Sequence, residues 1–231
     1  MGMSTVLALE TSTEHCSAAL AIDDRILIRA SAGVHTHSQS ILPMVQSLLA
    51  EAGLTLSRCD AVAFGAGPGS FTGVRTACGI AQGLAFGAGL PVLPVVTLQA
   101  MAQAAFEACG ALEVLAVLDA RMGEVYWAQY RYADGWETVS APALALPSDV
   151  KPQGAVLACG NGLTACTEAF AGHDFAAGTR PDLMPHAAQV ARLGQVALAR
   201  GKGVAPALAQ PLYLRNKVAL TVEERMARTA A

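Results

Sequence analysis

The sequence has few charged residues and no long uninterrupted apolar run. Charged residues make up 14% of the 231 residues and hydrophobic residues 53%, whereas soluble domains usually carry roughly 25% and 45–50%. No stretch approaches the ~20 consecutive apolar residues that cross a bilayer, which excludes a membrane-spanning helix. A chain of this length forms one large domain or two smaller ones. Its apolar surplus predicts either a large buried fraction or a surface that a partner covers.

A basic surface is also missing. Lys and Arg number 15 against 18 Asp and Glu, which gives a formal net charge of −3 and a pI of about 5.9. The chain by itself therefore lacks the positive footprint of a nucleic-acid-binding protein. The N-terminus has no basic region ahead of its first apolar strand, so we predict no signal peptide and a cytoplasmic protein.

Paired cysteines are absent as well. None of the six cysteines belongs to a C-x-x-C pair, so we interpret them as buried apolar residues in a reducing compartment and not as disulfides or zinc ligands. His35 and His37 have the spacing of two metal ligands on a strand, but nothing nearby supplies the others. We therefore predict no metal site, and expect Ser38 or Ser40 to cap the helix that follows.

The chain is organised around a glycine-rich stretch, GAGPGSFTGVRTACGIAQGLAFG, at residues 65–87. A short apolar run at 61–64 precedes it, and from Phe71 onward the apolar residues recur at helical spacing. This pattern predicts a strand, a turn and a helix that Ser70 caps. Such a junction points backbone N–H groups at whatever lies in front of it.

Three glycines recur four residues apart inside this predicted helix, at Gly79, Gly83 and Gly87. Each costs roughly 1 kcal/mol relative to alanine, so the stripe needs a compensating contact. Packing of the helix on its own sheet and close approach of a helix from another chain are equally good explanations. The preceding predicted helix, within 38–53, is apolar around well over half its circumference, more than a surface helix needs. The two helices together favour a partner surface.

Strands and helices alternate along the first half of the chain, which predicts an α/β fold. A strand ending in an acid, a hydroxyl-rich turn at 11–13 and a hairpin are typical of the start of an actin-like ATPase domain, although an ordinary meander fits these residues equally well. From residue 113 a second strand-rich half begins, and residues 187–200 predict a helix. Thr97 is expected to cap the helix that it begins.

Several motifs together resemble the bacterial TsaB family, which is YeaZ-like and related to glycoproteases. They are LALETST at the start, His37-Ser38 with Leu42-Pro43, GPGSFTGVR at 67–75, LDARMGEVY at 118–126 and PLYLRNKVAL at 211–220. The resemblance covers nearly the whole chain. It implies a two-lobed actin-like and hsp70-like ATPase fold (ASKHA) with a mixed five-stranded sheet and helices in the first lobe. That lobe would span 1–108, a smaller second lobe 109–204, and a tail, 205–231, would pack back on the first.

The resemblance also implies a non-catalytic scaffold or activating subunit. Its partners would be TsaD, the catalytic paralogue that threonylcarbamoylates the adenosine next to the anticodon in tRNA, and the small ATPase TsaE. ATP and metal are expected on those partner subunits, with no cofactor on this chain, and tRNA would be bound only through the complex. We place the partner interface on the two helices, at Ser38, Leu42, Val45, Leu49, Arg75, Gly79 and Gly83. Without a partner, we expect self-association through the same helices.

The residues themselves argue against independent catalysis. In an actin-like ATPase a second phosphate loop opens the second lobe, but here Asp119 is followed by Ala120 and Arg121, whose Cβ atoms would crowd a phosphate. The stretch at 65–70 also lacks the ending of a P-loop. Weak candidates for a residual nucleotide contact are Thr11, Gly67, Gly69 and Ser70.

Two enzymatic alternatives stay open. Ser70 follows a glycine in a strand-to-helix turn, which loosely resembles a nucleophile elbow, but the G-x-S-x-G pattern and an orienting third group are missing. A peptidase acting on its partner is one alternative, and an actin-fold small-molecule kinase is the other.

Overall fold

The structure is a computed structural model and describes residues 4–32, 37–176 and 178–215. His35 and the end of the predicted tail, 216–231, lie outside these residues. The strands are Thr5–Glu10 (β1), His15–Ile22 (β2), Arg25–Ala32 (β3), Ala61–Gly67 (β4), Val92–Val96 (β5), Glu113–Asp119 (β6), Val125–Tyr132 (β7), Trp136–Ala145 (β8) and Leu157–Cys159 (β9). The helices are His37–Ala52 (α1), Phe71–Ala88 (α2), Thr97–Cys109 (α3), Gly162–Ala165 (α4), Thr167–Phe170 (α5) and Ala187–Ala199 (α6).

The first sheet has five strands in the order β3-β2-β1-β4-β5. β1, β2 and β3 are antiparallel, whereas β1, β4 and β5 are parallel. Because successive side chains of a strand point to opposite faces, Leu7 and Leu9 enter one core while Val6 and Ala8 enter another. The sheet is therefore buried on both sides, and the predicted mixed five-stranded sheet and α/β fold are confirmed.

Helices cover both faces of this sheet. Residues of α1 and α2 pack on the face that carries Leu7, and α6 packs on the opposite face. That face is built of small residues, so α6 comes close: a Cβ placed on Gly194 would lie 2.9 Å from the Cβ of Ala63. α6 packs on the first sheet, although the predicted boundaries assign it to the second lobe. The division at residues 108 and 204 stays a prediction.

The second sheet has four strands in the order β8-β7-β6-β9. α3 packs on one of its faces, and the short helices near Phe170 pack on the other. The sequence pattern predicts a single helix over 161–170, but the structure divides it at Cys166 into α4 and α5. The sequence pattern predicts a strand from Trp136 to Val139, but the structure continues β8 to Ala145.

The six cysteines are unpaired, and four of them are buried. Burial raises the pKa of the Cys59 thiol to about 11 and that of the Cys159 thiol to about 12, so these thiols behave as inert apolar groups. Cys109 departs from the prediction because it is exposed. None of the helices that the structure describes combines the length and the apolar character needed to cross a membrane.

Candidate functional site

A cleft of about 540 Å³ opens between the two sheets, beyond the carboxyl ends of β1, β4 and β6. Ligands of open α/β sheets bind at strand ends of this kind. The lining comes from the turn after β1 (12–14), His37, the start of α2 (68–71 and Val74), the loop after β6 (118–122), Tyr126, Asn161 and the end of the described chain (212–215).

The glycine-rich loop is docked on the turn that follows β1. The Ser70 amide donates a hydrogen bond to the Ser12 carbonyl at 2.7 Å, and the Thr11 hydroxyl donates to the Gly73 carbonyl at 2.7 Å. A Cβ on Gly69 would lie 2.4 Å from the Ser12 carbonyl oxygen, and one on Gly73 would lie 1.9 Å from that of Thr11. These positions need glycine because the two backbone segments touch there.

Two hydroxyls hold the ends of this loop. The Gly73 amide donates to Ser70 Oγ at 3.4 Å, so Ser70 caps α2 as predicted. The Gly67 amide donates to Thr97 Oγ1 at 3.0 Å. The prediction that Thr97 caps α3 is wrong, because the N-cap is Val96 and the Thr97 hydroxyl is occupied by the loop.

The acid at the end of β1 is enclosed. Glu10 is fully buried, and its Oε1 accepts a hydrogen bond from the Ser12 amide at 2.6 Å. A Cβ placed on Gly65 would lie 1.9 Å from Glu10 Oε2, so only glycine leaves room for this carboxyl. Burial raises the pKa of Glu10 above its ordinary value of 4.5, because a charged carboxylate loses its hydration there.

The Glu10→Gln variant is expected to change how stability depends on pH. Between pH 4.5 and the raised pKa, the folded chain holds a proton on Glu10 that the unfolded chain has lost, so this group makes folding less favourable as pH rises through that window. Glutamine keeps the acceptor for Ser12 and cannot ionise. Thermal unfolding followed by circular dichroism should therefore show the variant gaining Tm relative to the parent as the pH rises above 4.5.

The matched control is Glu137→Gln, at an exposed carboxylate on β8. The Tm difference from the parent should depend more strongly on pH for Glu10→Gln than for this control. A Glu10→Gln difference with no more pH dependence than that of the control would contradict the assignment of a proton to the folded state.

The carboxylate of Asp119 finds its partners within the loop that follows β6. Asp119 Oδ1 accepts from the Arg121 amide at 2.7 Å, and Asp119 Oδ2 lies 3.1 Å from the Arg121 guanidinium. The Asp119 amide donates to Asn161 Oδ1 at 3.0 Å. Arg121, Met122 and Gly123 have φ of +65°, +60° and +76°, a left-handed run that is costly for the two residues with side chains. Asp119 therefore holds a tight turn at the cleft mouth.

The weak nucleotide-contact candidates divide into two pairs. Gly69 and Ser70 line the cleft, whereas Thr11 and Gly67 do not. Thr11 is fully buried, like Glu10 beside it, so the end of β1 does not fit the phosphates and cation of a magnesium nucleotide. Across residues 4–32, 37–176 and 178–215, no group of three or more His, Cys, Asp or Glu side chains is arranged to hold a metal ion.

The outer face of α1 and α2 is exposed to solvent. We call it the α1–α2 face, and its exposed residues include Leu42, Gly79, Gly83, Phe86 and Gly87. In the described part of the chain, apart from adjacent residues and the nearby backbone of α2 itself, no atom lies within 4 Å of a Cβ placed on Gly79, Gly83 or Gly87. Of the two explanations for the stripe, packing of these glycines on their own sheet is therefore not the one that the structure shows. Phe86 of α2 is 82% exposed and Leu42 of α1 is 43% exposed, so each of the two helices also presents an apolar side chain to solvent.

The residues predicted for the partner interface differ in accessibility. Ser38, Leu42, Arg75, Gly79 and Gly83 are exposed, and Leu49 is half-buried. Val45 is only 3% exposed and packs in the core beneath α1, so its side chain is not part of the face. The assignment of the face to a partner stays a prediction.

Some structural roles escape sequence reasoning. Gly73 looks like an ordinary helical residue, and the one available signal is its place in the first turn, directly after the capping serine. Arg215 donates to the Ala120 carbonyl at 3.0 Å and pairs with Glu124 Oε2 at 2.7 Å, 91 or more residues away along the chain. No local pattern reveals a contact of that range.

Comparisons with known proteins agree with this architecture. The family model described as "TsaD: tRNA N6-adenosine threonylcarbamoyltransferase" matches residues 31–220. The tRNA threonylcarbamoyladenosine biosynthesis protein TsaB of Escherichia coli is 41% identical over 221 residues, which cover 93% of this chain and 96% of that protein. The TsaB protein of Haemophilus influenzae is 40% identical over 230 residues, covering 93% of this chain and 94% of that protein.

A solved structure is similar over the same extent. YeaZ from Pseudomonas aeruginosa superimposes with a TM-score of 0.83 at 41% identity, covering 91% of this chain and all of that one. Fold, motifs and sequence identity over more than nine-tenths of the chain lead to one conclusion: the chain belongs to the bacterial TsaB (YeaZ-like) family of tRNA threonylcarbamoyladenosine biosynthesis proteins.

Proposed function

We propose that this chain is the scaffold or activating subunit of a complex that threonylcarbamoylates the adenosine next to the anticodon in tRNAs. It pairs with a TsaD-like catalytic paralogue and works with a TsaE-like ATPase. The biosynthetic role for which its relatives are named supports this. The observation that carries it is the α1–α2 face, which leaves three helical glycines and an exposed phenylalanine without cover in the described chain.

The chemistry of this face indicates the kind of partner. A glycine stripe lets the backbone of another helix come close, and the steric logic is that of small-residue helix pairs in general. Leu42 and Phe86 supply apolar contacts beside the stripe, and burying an aromatic side chain contributes strongly to association. The partner surface is therefore one or two helices with an apolar face. The isolated chain uses the same face to associate with itself.

The reactive groups of the chain are engaged in structure. Ser70 Oγ caps α2, Asp119 holds its own turn and Glu10 is enclosed. These arrangements support a chain with no cofactor of its own, so that ATP and metal belong to the partner subunits. The net charge of −3 supports contact with tRNA only through the complex, in the cytoplasm.

Reconstitution tests the proposal. The purified TsaD-like partner is given threonylcarbamoyl adenylate and unmodified tRNA, with or without this chain, and the modified nucleoside is measured by mass spectrometry. We expect omission of the chain to lower the initial rate about tenfold or more. A tenfold lower rate corresponds to an activation free energy that is higher by about 1.4 kcal/mol. An equal rate without the chain would contradict the proposed role.

A control measurement separates the scaffold from a small-molecule kinase. The chain alone, incubated with ATP and magnesium, is expected to show no turnover, and Asp119→Ala should leave that result unchanged because Asp119 is bonded to its own loop. Turnover that Asp119→Ala abolishes would favour a kinase and overturn the scaffold assignment.

A further inference from the structure

The last described segment of the chain, residues 209–215, crosses from one side of the cleft to the other. Its beginning is fixed to the first lobe. The Ala209 carbonyl accepts from Gln82 Nε2 at 3.1 Å and from the Cys78 thiol at 3.5 Å, and Ala209 is buried. The Leu212 amide donates to the Ala66 carbonyl at 2.7 Å, which attaches the segment to the carboxyl end of β4.

Tyr213 forms a second attachment to the first lobe, at the start of α2. Arg75 Nε donates to the Tyr213 hydroxyl at 2.8 Å. The guanidinium carbon of Arg75 lies 3.7 Å from the ring centroid of Phe71, and the rings of Phe71 and Tyr213 are 5.9 Å apart. The arginine is thus held by a hydrogen bond and a cation–π contact together.

Arg215 reaches the second lobe, two residues further on. Its guanidinium pairs with Glu124 Oε2 at 2.7 Å and donates to the Ala120 carbonyl at 3.0 Å. The two charged side chains are only 16% and 28% exposed, so solvent screens this pair less than an ordinary surface ion pair. Ala120 and Glu124 flank the left-handed run at 121–123, so the arginine stabilises the turn at the cleft mouth.

We propose that residues 209–215 form an interlobe strap that holds the cleft at its present width, and that the two attachments of the strap are coupled. Arg215 lies three residues after Leu212, and an extended chain of three residues spans at most about 11 Å. The cleft therefore cannot widen far unless the strap is released at Tyr213 or at Arg215. Release of either end removes the restraint on the other.

The strap also connects the cleft to the α1–α2 face. Arg75 is exposed on α2, where it contributes to that face and binds Tyr213 at the same time. A partner that draws Arg75 into its own contacts loosens the strap and frees the turn at 120–124. This connection, unlike the strap itself, rests on the proposed function.

Hydrogen exchange on the full chain, followed by mass spectrometry, tests the strap. Tyr213→Phe removes only the hydroxyl that Arg75 binds in the first lobe, yet amides of 120–124 in the second lobe should exchange about threefold faster or more, as expected for one lost hydrogen bond. Arg215→Ala should accelerate the Leu212 amide by a similar factor. Arg131→Ala, which breaks an ion pair with Glu113 on the second sheet, should change neither site.

The pattern of exchange decides between the strap and two local contacts. Acceleration on the opposite side of the cleft supports coupling, whereas acceleration confined to the mutated end overturns it. For the connection to the partner, the TsaD-like protein is added and pairing is checked by copurification. Pairing with faster exchange at 120–124 supports the connection, pairing without it removes the connection alone, and no pairing contradicts the proposed function.

Discussion

Gly73→Ala is expected to destabilise the fold by about 3 kcal/mol, toward the upper end of what overpacking costs. The new Cβ would lie 1.9 Å from the Thr11 carbonyl oxygen, a backbone atom that cannot rotate away. Relief requires α2 to separate from the turn after β1, which would also weaken the hydrogen bond from the Thr11 hydroxyl to the Gly73 carbonyl. Urea unfolding monitored by circular dichroism gives the free energy of unfolding directly.

The matched control is Gly79→Ala, the same substitution in the same helix. Outside the adjacent residues and nearby backbone of α2, no atom of the described chain lies within 4 Å of the added Cβ, so the variant gains the helix propensity of alanine, about 1 kcal/mol. The two substitutions should therefore shift the free energy of unfolding in opposite directions. Shifts of the same sign and size would contradict the docking of the glycine-rich loop on the turn at 11–13.

Gly79→Leu is expected to weaken pairing with the TsaD-like partner about 100-fold, which corresponds to about 2.7 kcal/mol. Leucine is a good helix former and meets open space within the described chain, so the fold should be unaffected. It would nevertheless occupy the groove that a partner helix needs, and bulk at the centre of an interface is costly. Isothermal titration calorimetry with the purified partner measures the change in Kd.

Ala199→Leu serves as the control for this variant. It places the same bulk on an exposed position of α6, which covers the opposite face of the first sheet, so Kd should stay as in the parent chain. Light scattering of the isolated chain should show self-association in the parent and in Ala199→Leu, and monomers in Gly79→Leu. A Gly79→Leu chain that binds the partner as tightly as the parent would remove α2 from the interface.

Local features were predictable from the sequence because local physics decides them. The apolar run of β4, the period of α2 and the cap at Ser70 each depend on residues close together in the chain, and the structure confirms all three. The exposure of the stripe at Gly79 and Gly83 does not follow from the stripe alone, because a small residue is compatible with either a close neighbour or none.

Long-range contacts were beyond sequence reasoning for a different reason. Gly65 needs to be glycine only because the carboxyl of Glu10 lies against it, and Thr97 serves as an acceptor only because Gly67 is brought beside it. Val45 belongs to an apolar helix face, but the period of that face does not say which of its residues meet the sheet. Such roles become visible only when the strands are in register.

The packing of α6 has a consequence for how the chain is made. One face of the first sheet, with Val6 and Ala8 at its centre, is covered by Ala187 and Val190 of α6. A nascent chain whose first five strands have already left the ribosome therefore still exposes this face to solvent. The core on this side of the sheet can form only after residues 187–199 have also been synthesised, so aggregation during synthesis is the hazard that this topology creates.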